Sequence, residues 1–169
     1  MRPDSSQYPP YFEPYISKAE GDDIHSILPS SVENLKSFLL SIPETSADFA
    51  YASGKWTVKQ VLQHCIDTER IFAYRALCIA RGEKQPLPGF DQDMYVANSK
   101  VENKRLEEMR NEMLLVRQSS VMLFAHFTHA ELNRTGTVSG NAITALALGF
   151  IIAGHWLHHE GILINKYGL

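Results

Sequence analysis

The sequence predicts an all-α protein, an up-down-down-up four-helix bundle with a long crossover between the second and third helices. Three long stretches carry apolar residues at helical spacing, and a fourth is apolar on nearly every side. Typical capping residues, prolines and glycines bound these stretches. The connection 82–98, rich in proline and glycine, is long enough for the third helix to run parallel to the second.

One domain is expected to span the whole chain, 1–169. A chain of 169 residues can bury a single large core, and there is no internal repeat or low-complexity tract. Residues 1–15 are expected to form an extended N-terminal arm on the body, because prolines interrupt any helix there. Disorder is the alternative for this arm. A short helical stretch is expected near 16–24.

The first bundle helix is predicted to begin after Pro29, where Ser30 and Glu33 have the spacing of a capping box. It is predicted to end at Pro43. Between these limits the following apolar residues keep helical spacing: Val32, Leu35, Phe38, Leu39 and Ile42. This pattern predicts an amphipathic helix with one face on the core.

The second helix is predicted to begin at Thr57, which forms a capping box with Gln60, and to continue to Gly82. Cys65 and Cys78 both fall in this helix. Thirteen residues of helix separate them by about 20 Å, which is too far for a disulfide. We therefore interpret both cysteines as small buried hydrophobic residues.

The third helix is predicted from apolar and small residues that step by three and four: Leu106, Met109, Met113, Val116, Ser120, Leu123 and Phe127. His126 and His129 at its end are interpreted as structural, because imidazolium suits the helix C-terminus. A glycine-containing loop then leads to Asn141, the expected N-cap of the fourth helix. That helix contains the apolar run 142–164 and is expected to stop at Gly168.

The charge balance excludes several classes of partner. Sixteen basic and nineteen acidic residues give a formal charge of −3, and no basic stripe follows any element. Nucleic acid and membrane surfaces are therefore not expected as partners. Residues 1–6 lack the apolar core of a signal peptide, and a cytoplasmic protein is expected.

Three histidines lie close together in the fourth helix. His155 and His159 are four residues apart, so on a helix they differ by about 40° and can share one metal ion. His158 is a group beside this pair or an alternative ligand. Glu160 points away from His155, which argues against the zinc peptidase arrangement. A buried hydrogen-bond network is the alternative interpretation of the pair.

The second helix contributes a further histidine, His64. A lone histidine in such a place is often a satisfied core residue. Asp67 and Thr68 follow it by three and four residues, so either could hold its second ring nitrogen. Glu69 and Arg75 could form ordinary surface or inter-helix pairs.

The chain resembles the DinB-like (DinB/YfiT-like) metalloprotein superfamily, which is distinct from the DNA polymerase of similar name. The segments that carry the resemblance are GKWTVKQVLQH at 54–64 with DTER at 67–70, PLPGFD at 86–91 and AGHWLHH at 153–159. They occur in the family's order, and the similarity extends over roughly 15–168.

The resemblance implies an up-down-down-up bundle, often a homodimer, in which His64, His155 and His159 hold one divalent metal ion. Zinc or nickel is expected, with iron or manganese as alternatives, since imidazole suits several divalent ions. Three histidines leave a fourth position open, as in catalytic zinc sites. His158, Asp67, Glu69, Arg75 and Asp91 are the residues expected to support the ligands or shape a pocket.

The implied activity is that of a metal-dependent thiol S-transferase, related to bacillithiol S-transferases, whose partners are a small-molecule thiol and a small electrophile. A metal-bound nucleophile is the common requirement, so metal-dependent hydrolysis with water in place of thiol is an alternative. A non-enzymatic, stress-related metal-binding protein is a third. The pattern leaves the catalytic residues, the thiol and the electrophile unassigned.

Overall fold

The computed structural model describes residues 1–169. Four long helices form the bundle: α2 (Ile24–Ser41), α3 (Val58–Ala80), α5 (Leu106–Ala125) and α7 (Ala145–Tyr167). The shorter elements are α1 (Glu13–Ile16), α4 (Gln92–Asn98), α6 (His129–Leu132) and the strands β1 (Thr135–Val138) and β2 (Asn141–Thr144). The predicted all-α four-helix bundle is confirmed, with one small hairpin added to it.

The second and third bundle helices, α3 and α5, run parallel. Lys104, which precedes α5, donates a hydrogen bond to the side chain of Gln63 near the start of α3, at 2.7 Å. Further along both helices, Glu69 of α3 pairs with Arg117 of α5. The contacts therefore advance together along the two helices. The long crossover between them makes this direction possible.

The last bundle helix, α7, runs antiparallel to α3 and parallel to α2. Near its end, the Tyr167 hydroxyl donates to the Trp56 carbonyl just before α3, at 2.6 Å. Ile24, at the start of α2, lies against Gly149 near the start of α7. Phe38, near the end of α2, packs against Trp156 further along α7, with ring centres 6.0 Å apart. The order is thus up, down, down, up, as predicted.

The Arg117 guanidinium joins all four bundle helices. It donates to both carboxylate oxygens of Glu69 on α3, at 2.9 and 2.8 Å. It also donates to the Ser31 hydroxyl on α2 at 2.7 Å and to the Ile152 carbonyl on α7 at 3.3 Å. The side chains of Arg117 and Glu69 are almost fully buried. In such a bidentate pair, two parallel hydrogen bonds neutralise the buried charges and also fix the relative orientation of the two side chains.

Buried polar residues divide the apolar core into two clusters. One cluster of 24 residues includes the start of α2, the end of α3 and the start of α7; the other, of 17, includes the opposite halves of the same helices. At the boundary lie Thr68, Glu69, Arg117, Ser120 and His155, all buried. None of the helices combines the length and apolar character needed to cross a membrane.

The predicted start of the first bundle helix, after Pro29, is wrong. The helix begins at Ile24, and Asp23 caps it by accepting a hydrogen bond from the His25 backbone N–H at 3.2 Å. Pro29 lies in its second turn, where it removes one backbone donor. Burial of Ile24 and Leu28 on the core offsets that loss.

The predicted start of the fourth helix, at Asn141, is also wrong. Residues 135–144 form an antiparallel hairpin in which Val138 pairs with Asn141. Ser139 and Gly140 both have positive φ, which suits a two-residue turn that matches the twist of the strands. The true N-cap is Thr144, whose side chain accepts from the Ala147 N–H at 3.1 Å.

The crossover is more ordered than the irregular segment predicted from its prolines. The Leu87 backbone N–H donates to the Thr137 carbonyl at 2.8 Å, and the Ser139 N–H donates to the Leu87 carbonyl at 3.0 Å. Asp91 then caps α4, accepting from the N–H groups of Asp93 and Met94. The crossover is thereby held against the hairpin, which fixes the position of the residues between Leu87 and α4.

The N-terminal arm is folded rather than extended, with 3-10 turns followed by α1. The predicted helix near 16–24 is absent, because α1 already ends at Ile16 and bends precede Ile24. The Arg2 guanidinium holds the arm by donating to the backbone carbonyls of Ile16, Ala19 and Gly21. The arm lies against α7, with the Tyr15 carbonyl directly over Gly154.

Gly154 is predicted to be essential for this contact. A Cβ added at Gly154 would lie 1.8 Å from the Tyr15 carbonyl oxygen, so the arm would have to move. We expect Gly154→Ala to lower the free energy of unfolding by about 1–3 kcal/mol, in the range of overpacking substitutions. Urea unfolding of the metal-free protein measures the change.

Gly161, on the same helix, provides the matched control, since a Cβ there meets nothing within 4 Å. Gly161→Ala is expected to raise stability by up to about 1 kcal/mol, through the helix propensity of alanine alone. Equal stabilities for the two variants would contradict the close contact between the arm and α7.

Candidate metal centre

His64 lies on α3 at the boundary between the two core clusters, and its side chain is buried. The Thr68 hydroxyl, one helical turn later, is 3.3 Å from His64 Nδ1. This contact occupies Nδ1 and directs Nε2 away from α3. A hydrogen bond to the second nitrogen is the usual way in which a protein orients a histidine ligand.

His155 and His159 extend from α7 toward His64. His155 Nε2 lies 3.1 Å from His64 Nε2, and the three imidazoles each offer a nitrogen within 4.8 Å of the others. The ring centre of His159 lies 4.8 Å from that of His64 and 4.6 Å from that of His155. The structure therefore brings His64 to the helical pair of His155 and His159, as the family resemblance implies.

All three imidazoles are held in the neutral form. Burial, with a smaller contribution from His158, lowers the pKa of His64 to about 4. Burial and the neighbouring His64 lower the pKa of His159 to about 3. The pKa of His155 is also lowered well below its ordinary value, first by burial and then by His159 and His64. Neutral imidazoles have the free lone pair that a metal ion requires.

The cluster fits a divalent metal ion. Ligand nitrogens at about 2.0–2.1 Å from a tetrahedral zinc ion lie about 3.3 Å from each other, close to the His64 to His155 separation. His159 Nδ1 is buried and has no hydrogen-bond partner, which is unusual unless a bound group accounts for it. No cysteine or carboxylate joins the cluster, so a bound ion would have an open position.

A cavity of about 250 Å³ adjoins the centre, and His64 and His155 form part of its wall. Its aromatic lining consists of Tyr11, Phe12, Tyr15, Phe72 and Phe90. Its other polar side chains are Thr68, Arg75, Gln92 and Ser139. No aspartate or glutamate lines it, so Arg75 is the only charged side chain in the wall.

The other residues expected to support the site lie in different places. Arg75 lines the cavity, whereas Asp67 accepts a hydrogen bond from Gln63 and leaves Thr68 to contact His64. Glu69 is not at the cavity, because its carboxylate is bound by Arg117.

Two further expected residues lie beside the site. Asp91 is exposed and caps α4, so it does not line the cavity. His158 is half-buried, with its ring centre 5.1 Å from those of Tyr15 and His159, and it is not among the three clustered imidazoles.

Sequence reasoning missed several residues of the cavity wall. Tyr15 lies over the centre, its ring 5.4 Å from that of His155, and burial raises its pKa to about 12. Nothing in the proline-rich arm indicated this contact. Ser139 could have been anticipated, because Ser139 and Gly140 separate two short β-prone runs and are typical of a two-residue hairpin turn.

The chain matches known proteins in sequence and in fold. The family model of the DinB superfamily matches residues 30–163. A solved structure similar to the chain is that of YfiT from Bacillus subtilis, described as a probable metal-dependent hydrolase with an unusual four-helix bundle topology. The identity is 17%, the alignment covers 99% of this chain and 94% of YfiT, and the TM-score is 0.71. No curated protein matches the sequence.

Metal binding is expected to depend on the three clustered histidines. His159→Ala removes one of three ligands, and we expect a loss of affinity larger than the roughly 10- to 100-fold typical of removing an outer hydrogen-bond partner. Elemental analysis of protein purified without an affinity tag measures the bound metal. His158→Ala is the control and should retain the metal, since His158 lies outside the cluster. Equal metal in wild type and His159→Ala would exclude the three-histidine centre.

The metal-free protein is expected to lose stability on acidification. The three folded-state pKa values lie below the unfolded value near 6.5, so below that pH the unfolded chain binds more protons than the folded chain. Between pH 7.5 and 5 the loss should reach up to about 2 kcal/mol for each histidine.

Urea unfolding of chelator-treated protein at the two pH values measures this loss. Replacing His155 with glutamine should reduce the dependence on pH. Replacing the exposed His126 with glutamine is the control and should leave the dependence unchanged. A loss of the same size in His155→Gln as in wild type would show that the buried imidazoles are not its source.

Proposed function

The chain belongs to the DinB superfamily, and on that premise we propose that it binds one divalent metal ion and transfers a small thiol to a small electrophile. The observation that carries the proposal is the cluster of three neutral, buried histidines at the wall of a cavity. Zinc and nickel both suit three imidazole donors. A bound divalent ion would act as a Lewis acid and lower the pKa of a thiol or water that reaches its open position.

The charges around the cavity favour an anionic nucleophile. Three neutral histidines do not reduce the charge of a divalent ion, and the cavity wall contains Arg75 but no carboxylate. A thiolate would compensate part of this positive charge. The wall also has no Asp or Glu that could activate water as a general base, and its two histidines are assigned to the metal ion.

The chain's own residues would position the reactants. Thr68 orients His64 by its contact with Nδ1. Tyr15 and Phe72 both pack edge-on against the His155 ring, with ring centres 5.4 and 6.1 Å from it, and give the cavity beside the metal centre an apolar wall. In the reaction, the thiol proton passes to solvent, the sulfur forms a bond to the electrophilic carbon, and the leaving group departs with the electrons of the broken bond.

Hydrolysis is the second candidate function. The likeness in fold to YfiT, described as a probable metal-dependent hydrolase, favours it. The same open position would then receive water in place of a thiol. A purely structural role for the ion is less favoured, because a structural zinc site is closed by a fourth protein ligand and this cluster has only three.

Metal-loaded protein incubated with thiols and an electrophile tests the proposal. The panel consists of bacillithiol, glutathione and cysteine, with a halogenated bimane or a halogenated aromatic compound as electrophile. We expect wild type to conjugate one or more thiols at least about 100-fold faster than His155→Ala does. A rate loss of this size is usual when a group that stabilises the transition state is removed.

The same samples are assayed for hydrolysis of ester and amide substrates. His158→Ala is the matched control and should keep the wild-type rate. If ester or amide hydrolysis is observed without conjugation of any thiol, hydrolysis becomes the favoured function in place of thiol transfer. If neither reaction is faster than with His155→Ala, the enzymatic proposal fails in favour of a binding protein.

A further inference from the structure

Arg75 is a buried cation without an acidic partner. Its exposed fraction is 5%, and no salt bridge includes it. The other deeply buried arginine, Arg117, is paired with Glu69. Buried charges in proteins are normally paired, so an unpaired guanidinium beside a cavity is suited to bind an anion.

The guanidinium is fixed in place but not saturated. Its Nη2 donates to the Pro88 carbonyl at 2.6 Å, and its central carbon lies 5.7 Å from the Phe72 ring centre and 5.5 Å from that of Phe90. Its other N–H groups have no acceptor in the protein and are not among the fully buried orphan atoms. Arg75 lines the cavity, so these donors are available to a bound molecule.

His155 of the metal centre and Arg75 both pack against the ring of Phe72. The His155 ring centre is 6.1 Å from the Phe72 ring centre, and the Arg75 guanidinium is 5.7 Å from it. Both groups also line the same cavity, so one small molecule bound in it can contact the metal centre and Arg75. With its sulfur near the histidines, a thiol would extend along Phe72 toward Arg75.

We propose that Arg75 binds a carboxylate of the thiol substrate and so selects small thiols that carry an acidic group. This rests on the proposed thiol transfer and adds the substrate class. Arginine suits the role because its planar guanidinium matches the two oxygens of a carboxylate. The anion is assigned to the thiol because Arg75 lines the same cavity as His64 and His155, which the thiol must enter to reach the metal centre.

The test compares two thiols of the same length, 3-mercaptopropionate and its neutral amide. Their dissociation constants are measured from the sulfur-to-metal absorption band of cobalt-loaded protein, a readout independent of turnover. Wild type is expected to bind the carboxylate about 10- to 100-fold more tightly than the amide, the range for hydrogen bonds to a charged group.

Arg75→Gln should bind the two thiols with similar affinity, because it removes the positive charge that distinguishes them. Arg75→Lys should keep part of the preference, since it retains the charge. Arg70→Gln is the matched control: Arg70 is on the same helix, pairs with Glu112 away from the cavity, and its loss should leave the preference intact.

Different outcomes would contradict the role of Arg75 and the proposed thiol transfer. Weaker binding of both thiols by the same factor in Arg75→Gln would mean that Arg75 only holds the crossover, and would overturn the inference. The inference would also be overturned if wild type preferred a carboxylate only on the electrophile, as between 4-chloro-3-nitrobenzoate and its amide, and not on the thiol. No absorption band with any thiol in wild type would overturn the proposed thiol transfer, and the inference with it.

Discussion

The buried pair of Arg117 and Glu69 is the interaction on which the rest of the structure depends. Arg117 contacts every bundle helix, so one side chain fixes how the four helices are shifted along one another. Its two partners on α3 and α7 flank the metal centre in sequence: Glu69 follows His64 by five residues, and Ile152 precedes His155 by three. Loss of one member of such a buried pair costs about 3–5 kcal/mol.

The same layer explains how a hydrophobic bundle accommodates polar chemistry. The two apolar clusters provide the free energy of folding, while the layer between them provides neutral imidazoles, a fixed hydroxyl and an arginine at the cavity. Keeping imidazoles neutral by burial is unfavourable at low pH, but it leaves their lone pairs free. Stability and function therefore make opposite demands on these positions.

Much of the fold follows from local patterns, and less of the site does. The capping box of Thr57 and Gln60 starts α3 as predicted, because both partners are close in sequence. The spacing of His155 and His159 likewise gives a helical pair. His64 comes close to this pair only because α3 packs against α7, a long-range contact that the sequence indicates only through the family resemblance.

The remaining errors have physical causes. Pro29 has the pattern of a helix boundary, but burial of its neighbours in the core offsets the one backbone donor that it removes. Asn141 has the side chain of an N-cap, yet strand pairing with Val138 uses that residue instead. Arg117 follows an ordinary amphipathic pattern, so nothing local distinguishes it from a surface charge.

The two parts of the centre come from different kinds of structure. The three histidines belong to the long helices, whereas much of the cavity wall comes from the arm, the crossover and the hairpin, as with Tyr15, Phe90 and Ser139. Substitutions and insertions in connecting segments disturb a core less than those in its helices. The bundle can thus serve as a constant frame in which the reactants change while the metal ligands do not, which is how one fold comes to host many different reactions.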